Sequence, residues 1–121
     1  MTTPLERMRS IRWGREVLEQ IAIDPLVPGP MQVRAAVLSS KYPTTDLIEG
    51  HIANSGHGLP LDWAVIFGQA LTLFGEIGGD GFGSDDTRLR IRYVQRHYPE
   101  PNLLAFFSQG YSLQGWLKPE D

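Results

Sequence analysis

A chain of 121 residues with 41% hydrophobic and 21% charged side chains fits one globular domain, long enough to bury a core without metal or disulfides. The absence of cysteine excludes disulfide frameworks, thiolate nucleophiles and Cys-based zinc sites. A net charge of −3 disfavours nucleic acid for the molecule as a whole, although basic side chains gather at 7–15 and 88–97.

The opening "MTTPLERMRSIRWGREV" is charged early and lacks the apolar run of a signal peptide. No stretch approaches the roughly 20 apolar residues needed to span a bilayer. A cytoplasmic protein is the expectation.

"PLERMRSIRWGREVLEQIA" predicts the first helix, because Leu5, Met8, Ile11, Val17, Leu18 and Ile21 recur mainly at three- and four-residue intervals. Thr3 is its expected N-cap, with Pro4 at the first helical position and Glu6 in the first turn. "DPLVPGP" breaks that helix. "MQVRAAVLSSKY" predicts a short second helix stopped by Pro43, and "TTDLIEGHIA" restarts behind a Thr44 cap with Asp46 in the first turn. "NSGHGLP" reads as a loop and "LDWAVIFGQALTLFGEI" as the most apolar helix. "GGDGFGSDD" reads as a glycine-rich connection ending in Ser84, an N-cap with Asp85 and Asp86 behind it.

"TRLRIRYVQRHY" carries two signals. Leu89, Ile91 and Tyr93 alternate with Arg88, Arg90 and Arg92, which is a strand period, while the capping serine and acids ahead argue for a helix start. A doubled phrase decides between them. Aligning Tyr42-Pro43 with Tyr98-Pro99 also pairs Val33 with Leu89, Arg34 with Arg90, Val37 with Tyr93 and Leu38 with Val94. The first copy, "RAAVLSSK", favours helix, so 86–97 is predicted helical too. A two-residue slip further upstream pairs Trp13-Gly14 with Phe67-Gly68 and Val17 with Leu71. The expected fold is all-α: a single domain over 1–121, a compact bundle of five or six helices with two candidate pseudo-symmetric helical halves, 4–54 and 60–109, and a tail, 110–121.

Catalytic patterns are missing. His51, His57 and Asp62 have no third strong ligand in register for a metal, and a loop with exposed histidines is the simpler reading. "GGDGFGSDD" lacks the lysine of a phosphate loop, and Phe82 interrupts the alternating ligands of a calcium loop. No serine sits in a GxSxG elbow. No catalytic residue, cofactor or metal site is assigned, and an enzyme ranks third among the functional readings.

Arg88, Arg92 and Arg96 would form one ridge at four-residue spacing, with Arg90 and His97 beside it, suited to phosphates or an acidic protein surface. A solvated face partly neutralised by Asp85, Asp86 and Glu76 is the simpler reading of the same residues. Arg34 and Arg90, matched between the copies, are candidates for scaffolding ion pairs. In the tail, Tyr111, Leu113, Trp116 and Leu117 either fold back onto the bundle, the favoured outcome, or form a binding patch; such aromatics are common interface anchors. The candidate surface is therefore Arg88, Arg92, Arg96, His97, Tyr111 and Trp116. An inhibitor, immunity-type protein or adaptor that binds an unidentified protein partner is the first expectation. A nucleic-acid-associated regulator using the arginine ridge is the second, and no membrane partner is expected.

Thr2 to Pro4, Glu6, Arg7, Arg15, Glu16, Leu18, Asp24, Pro25, Val33, Arg34 and Tyr42 to Thr44 resemble a family of small bacterial proteins with a TTP-x-ER opening, an RE-[FV]-L helix and a VR…YPT close. The resemblance covers residues 2–49. It implies a bacterial, cytoplasmic, helical protein and supplies no catalytic residue, since that family has no assigned activity.

Overall fold

In a computed structural model that describes residues 3–54, 59–99 and Leu117, local signals and helix ends coincide closely. Helix α1 runs Pro4–Ile23, α2 Gly29–Lys41, α3 Thr45–Asn54, α4 Leu61–Asp80 and α5 Asp85–His97. Among the described residues the architecture is all-helical.

Thr3 and Glu6 close a capping box at α1: Glu6 N donates to Thr3 Oγ1 at 3.1 Å, and Thr3 N to Glu6 Oε1 at 3.0 Å. Thr44 Oγ1 accepts from Leu47 N at 3.3 Å at the start of α3, and Ser84 Oγ accepts from Thr87 N at 3.2 Å at the start of α5. Two boundaries differ from expectation. Helix α2 begins at Gly29, since Pro30 is tolerated in a first turn. Helix α4 runs through Gly78 and Gly79 and stops only at Gly81, whose φ of 72° reverses the chain. The glycine-rich connection is thus half as long as its sequence suggests.

Helix α1 packs along both α2 and α5, α4 packs along the same two, and α1 and α4 touch across the middle. The inward faces of the two long helices match at one spacing. Ser10, Ile11, Gly14, Val17, Leu18 and Ile21 are buried on α1, and Ile66, Phe67, Ala70, Leu73, Phe74 and Ile77 on α4. Each pair differs by the same 56 residues that separate Tyr42 from Tyr98, and the one exception is Met8, buried on α1 where its counterpart Ala64 is only partly buried. Burial therefore does not follow the slipped pairing of Trp13 with Phe67. Trp13 is only partly buried between α1 and α5, whereas Phe67 is at the centre of the core. Helices α2 and α5 keep the same register: Ala35 and Leu38 are buried on one, Ile91 and Val94 on the other.

The two tyrosines of the doubled phrase meet at the centre. Tyr42 Oη donates to the Ile11 carbonyl at 2.6 Å and lies 2.9 Å from Tyr98 Oη. A carbonyl only accepts, so Tyr42 spends its proton on Ile11 and Tyr98 donates to Tyr42. Phe67 lies between the rings, 5.1 Å from Tyr42 and 6.3 Å from Tyr98 between centroids. Burial raises both phenols well above their usual range, so both stay neutral. The order of donation has a measurable consequence. Tyr42→Phe leaves the Tyr98 hydroxyl buried without an acceptor and should cost about 2 kcal/mol, against about 1 kcal/mol for Tyr98→Phe. Urea midpoints for the two variants check this; equal losses would contradict the assigned order.

A second buried network joins the loop after α1 to the start of α5. Asp24, only 3% exposed, accepts from Leu26 N at 2.9 Å, Ser84 N at 2.9 Å and Thr87 Oγ1 at 2.5 Å. Its carbonyl accepts from Gln32 Nε2 at 2.5 Å. Ser10 Oγ adds a third buried link, donating to the Val94 carbonyl at 2.6 Å. These bonds tie α1 to α5 at both ends and the start of α2 to the end of α1.

Candidate protein-binding surface

The arginine ridge exists as a helical ridge, but only part of it is available. Arg88 pairs with Asp85, and Arg90 lies 3.0 Å from Asp86, one turn back. Exposed pairs of this kind contribute about 0–1 kcal/mol, yet they occupy the guanidinium groups. Arg92 and Arg96 are exposed and make no ion pair with any described residue. His97 is turned away from the ridge toward α1, with Nε2 3.1 Å from Glu6 Oε2 and Nδ1 buried without a hydrogen bond. Arg34 bridges helices, reaching Glu76 on α4 at 2.5 Å, whereas Arg90 pairs within its own helix.

Tyr111 and Trp116 lie outside the described residues. Leu117, the single tail residue described, is 2% exposed and joins the core. The His51 ring meets Trp63 edge-on at 5.4 Å between centroids. His57 lies outside the described residues, and Asp62 is exposed. Among the described residues no three acidic or histidine side chains cluster as metal ligands, and no helix is long and apolar enough to cross a membrane.

A larger feature lies on the opposite side. Between α2 and α4 runs a groove of about 700 Å³, with Val33, Val37 and Leu38 on one wall and Ala64, Val65 and Gly68 on the other. Its mouth continues past Lys41 and Gln69 to Leu61 and Asp62. The exposed fractions are high for aliphatic side chains: Val33 64%, Val37 45%, Leu61 71% and Val65 49%. Single exposed apolar residues need no explanation, but a contiguous set lining one groove is a candidate interaction surface. Arg34, paired with Glu76, and Lys41 stand at its rim, and Asp62 stands at its mouth.

Sequence reasoning passed over this groove although a signal was present. Helix α2 carries two aliphatic faces: Ala35 and Leu38 point into the core, and Val33 and Val37 point out. A helix apolar on more than one face has more to cover than its own core supplies. The pairing of Val33 with Leu89 and Val37 with Tyr93 was visible, and all four are exposed, at 64%, 45%, 45% and 55%.

No family model, curated protein or solved structure matches this chain.

Proposed function

We propose that this protein works by binding another protein, with the α2/α4 groove as its docking surface. One observation carries the reading: the exposed aliphatic side chains of Val33, Val37 and Val65 line a single open groove, with a fourth, Leu61, at its mouth. An inhibitor, immunity-type protein or adaptor fits such a surface, and the first 49 residues support a bacterial origin through the family they resemble. Nucleic acid is the second reading. It draws on Arg92 and Arg96, the ridge arginines without an acidic partner among the described residues, and on little else.

The experiment compares co-purification from the native cell by three forms: wild type, Val37→Glu/Val65→Glu and Arg92→Ala/Arg96→Ala. Both substitution pairs are at exposed positions, so melting curves should be close to wild type. The expected result is a stoichiometric protein partner that wild type and the arginine variant recover and the groove variant loses. A partner retained by the groove variant, or none recovered by any form, overturns the reading. Loss on the arginine variant alone, with binding to nucleic acid that weakens steeply with salt, would favour the second reading instead.

A further inference from the structure

The α2/α4 groove has a counterpart inside the same molecule. The spacing of 56 residues that relates Tyr42 to Tyr98 carries Arg34, Val37 and Leu38 of α2 onto Arg90, Tyr93 and Val94 of α5. It also carries Val65, Gln69 and Thr72 of α4 onto Arg9, Trp13 and Glu16 of α1. Those counterparts line the seam between α1 and α5, along two small depressions of about 180 and 130 Å³.

Helix α1 packs more extensively along α5 than α2 does along α4, and the side chains at the two places differ in size as well. Trp13 packs against the core with the Arg9 guanidinium 5.8 Å over its ring, and Tyr93 lies beside it along both depressions. At the corresponding places the groove has Gln69 and Val37, and about 700 Å³ stays open. Charge follows the same rule. His97, the counterpart of Lys41, has the Glu6 carboxylate 3.1 Å away. Asp62, the counterpart of Glu6, is one methylene shorter, and Lys41 makes no ion pair or hydrogen bond with it or any other described residue. Among the described residues the groove thus lacks two things that the seam contains: an aromatic side chain packed against the core and a carboxylate paired with its terminal cation.

We infer that the groove receives a partner-protein segment carrying an aromatic side chain flanked by a carboxylate. The ring enters between Val37 and Gln69, as Trp13 packs into the seam, and the carboxylate pairs with Lys41. A Trp or Tyr buries roughly 150–250 Å² and suits this apolar trough with a polar rim. An amphipathic helix would bring both groups from one face, one turn apart. This inference rests on the protein-binding reading above and specifies the chemistry of its partner.

The test titrates the full chain with a helical peptide bearing one Trp with a Glu one turn to either side. Two control peptides replace Trp by Ala and both Glu residues by Lys. The Trp peptide is expected to bind and to shift the amide resonances of Val37, Val65 and Gly68. The Ala peptide should bind about thirtyfold more weakly or worse, as for loss of an interface anchor. The Lys peptide should also weaken. Val37→Tyr/Gln69→Trp, which copies the seam into the groove, should fold and lose the peptide; if it does not fold, Val65→Lys at the exposed wall serves instead. Absence of binding, equal binding of the Trp and Ala peptides, or binding that survives both variants overturns the inference. A dimer of the chain alone that the filled groove splits into monomers overturns it as well, by making a second copy the occupant. If the peptide arm fails while Val37→Glu/Val65→Glu still loses the native partner, only the aromatic occupant falls. If the native partner also stays on that variant, the protein-binding reading falls with it.

Discussion

Asp24→Ala is expected to lower the free energy of unfolding by about 3–4 kcal/mol, read as a shift of the urea midpoint. The substitution removes the acceptor for Ser84 N, Leu26 N and Thr87 Oγ1 at once. Thr87 is fully buried, so water cannot replace the lost bond there. A buried donor left unsatisfied costs about 1–3 kcal/mol, which exceeds what the bond contributes when made. Asp24→Asn keeps the shape but replaces one acceptor oxygen with a donor, and it should cost about half as much.

The same carboxylate makes acid sensitivity a second reading of the prediction. Burial alone would raise the Asp24 pKa, but the bonds from Ser84 N, Thr87 and Leu26 N outweigh it and hold the value at about 2, below the ordinary 3.8. A folded value below the unfolded one gives stability that is complete above the unfolded value and is lost as pH falls through the folded one. The loss attributable to Asp24 therefore falls between about 3.8 and 2. Asp24→Asn should flatten stability against pH in that window. An unchanged acid limb would show that the carboxylate is not held as described.

Gly14→Ala is expected to destabilise, by about 1–2 kcal/mol, at a position where the helix would ordinarily gain. Replacing a mid-helix glycine by alanine contributes roughly 0.8–1.0 kcal/mol through propensity. At Gly14 the added methyl would lie 2.7 Å from Tyr42 Oη and 2.9 Å from a Tyr98 ring carbon. The phenol cannot swing clear, because it is held between the Ile11 carbonyl and Tyr98. Overpacking of this kind costs about 1–3 kcal/mol and reverses the sign. Gly75→Ala is the matched control: it is exposed on α4, nothing lies within 4 Å of its added methyl, and it should stabilise. Adding Tyr42→Phe to Gly14→Ala should recover part of the loss by removing the closest atom, so the double variant should be less destabilised than the sum of the two. Additive losses would mean that the close approach at Gly14 is not what opposes the methyl.

Both variants probe contacts between chain segments far apart in sequence. Thr87 meets Asp24 across 63 residues, and Tyr42 meets Tyr98 across 56. The pairing of the two tyrosines in a doubled phrase was legible, since Tyr-Pro ends a helix in both copies. Their convergence on one carbonyl was not, because it depends on where α1 passes. For the same reason the sequence gives no sign of the close approach at Gly14, and Asp24 reads only as part of a Pro-rich break.

What the sequence determined by itself was the set of helices and most of their ends. Caps at Thr3, Thr44 and Ser84 act through bonds spanning three residues, and the inward faces follow a period of a few residues. Both signals are complete within one or two turns, which is why α5 could be assigned as helix against its strand-like alternation. Only the tertiary structure decided which surface stays open. The arginine ridge, conspicuous along the chain, is partly consumed by Asp85 and Asp86. The groove drew no notice because its walls come from two helices, and no local rule sets the distance between them. Trp13 packs into the related seam between α1 and α5 with the half-exposed Tyr93 beside it, whereas Val37, Gly68 and Gln69 line a space between α2 and α4 that stays open among the described residues. Those side chains and the looser packing of α2 against α4, seen only once the helices are assembled, separate the narrow seam from the open groove.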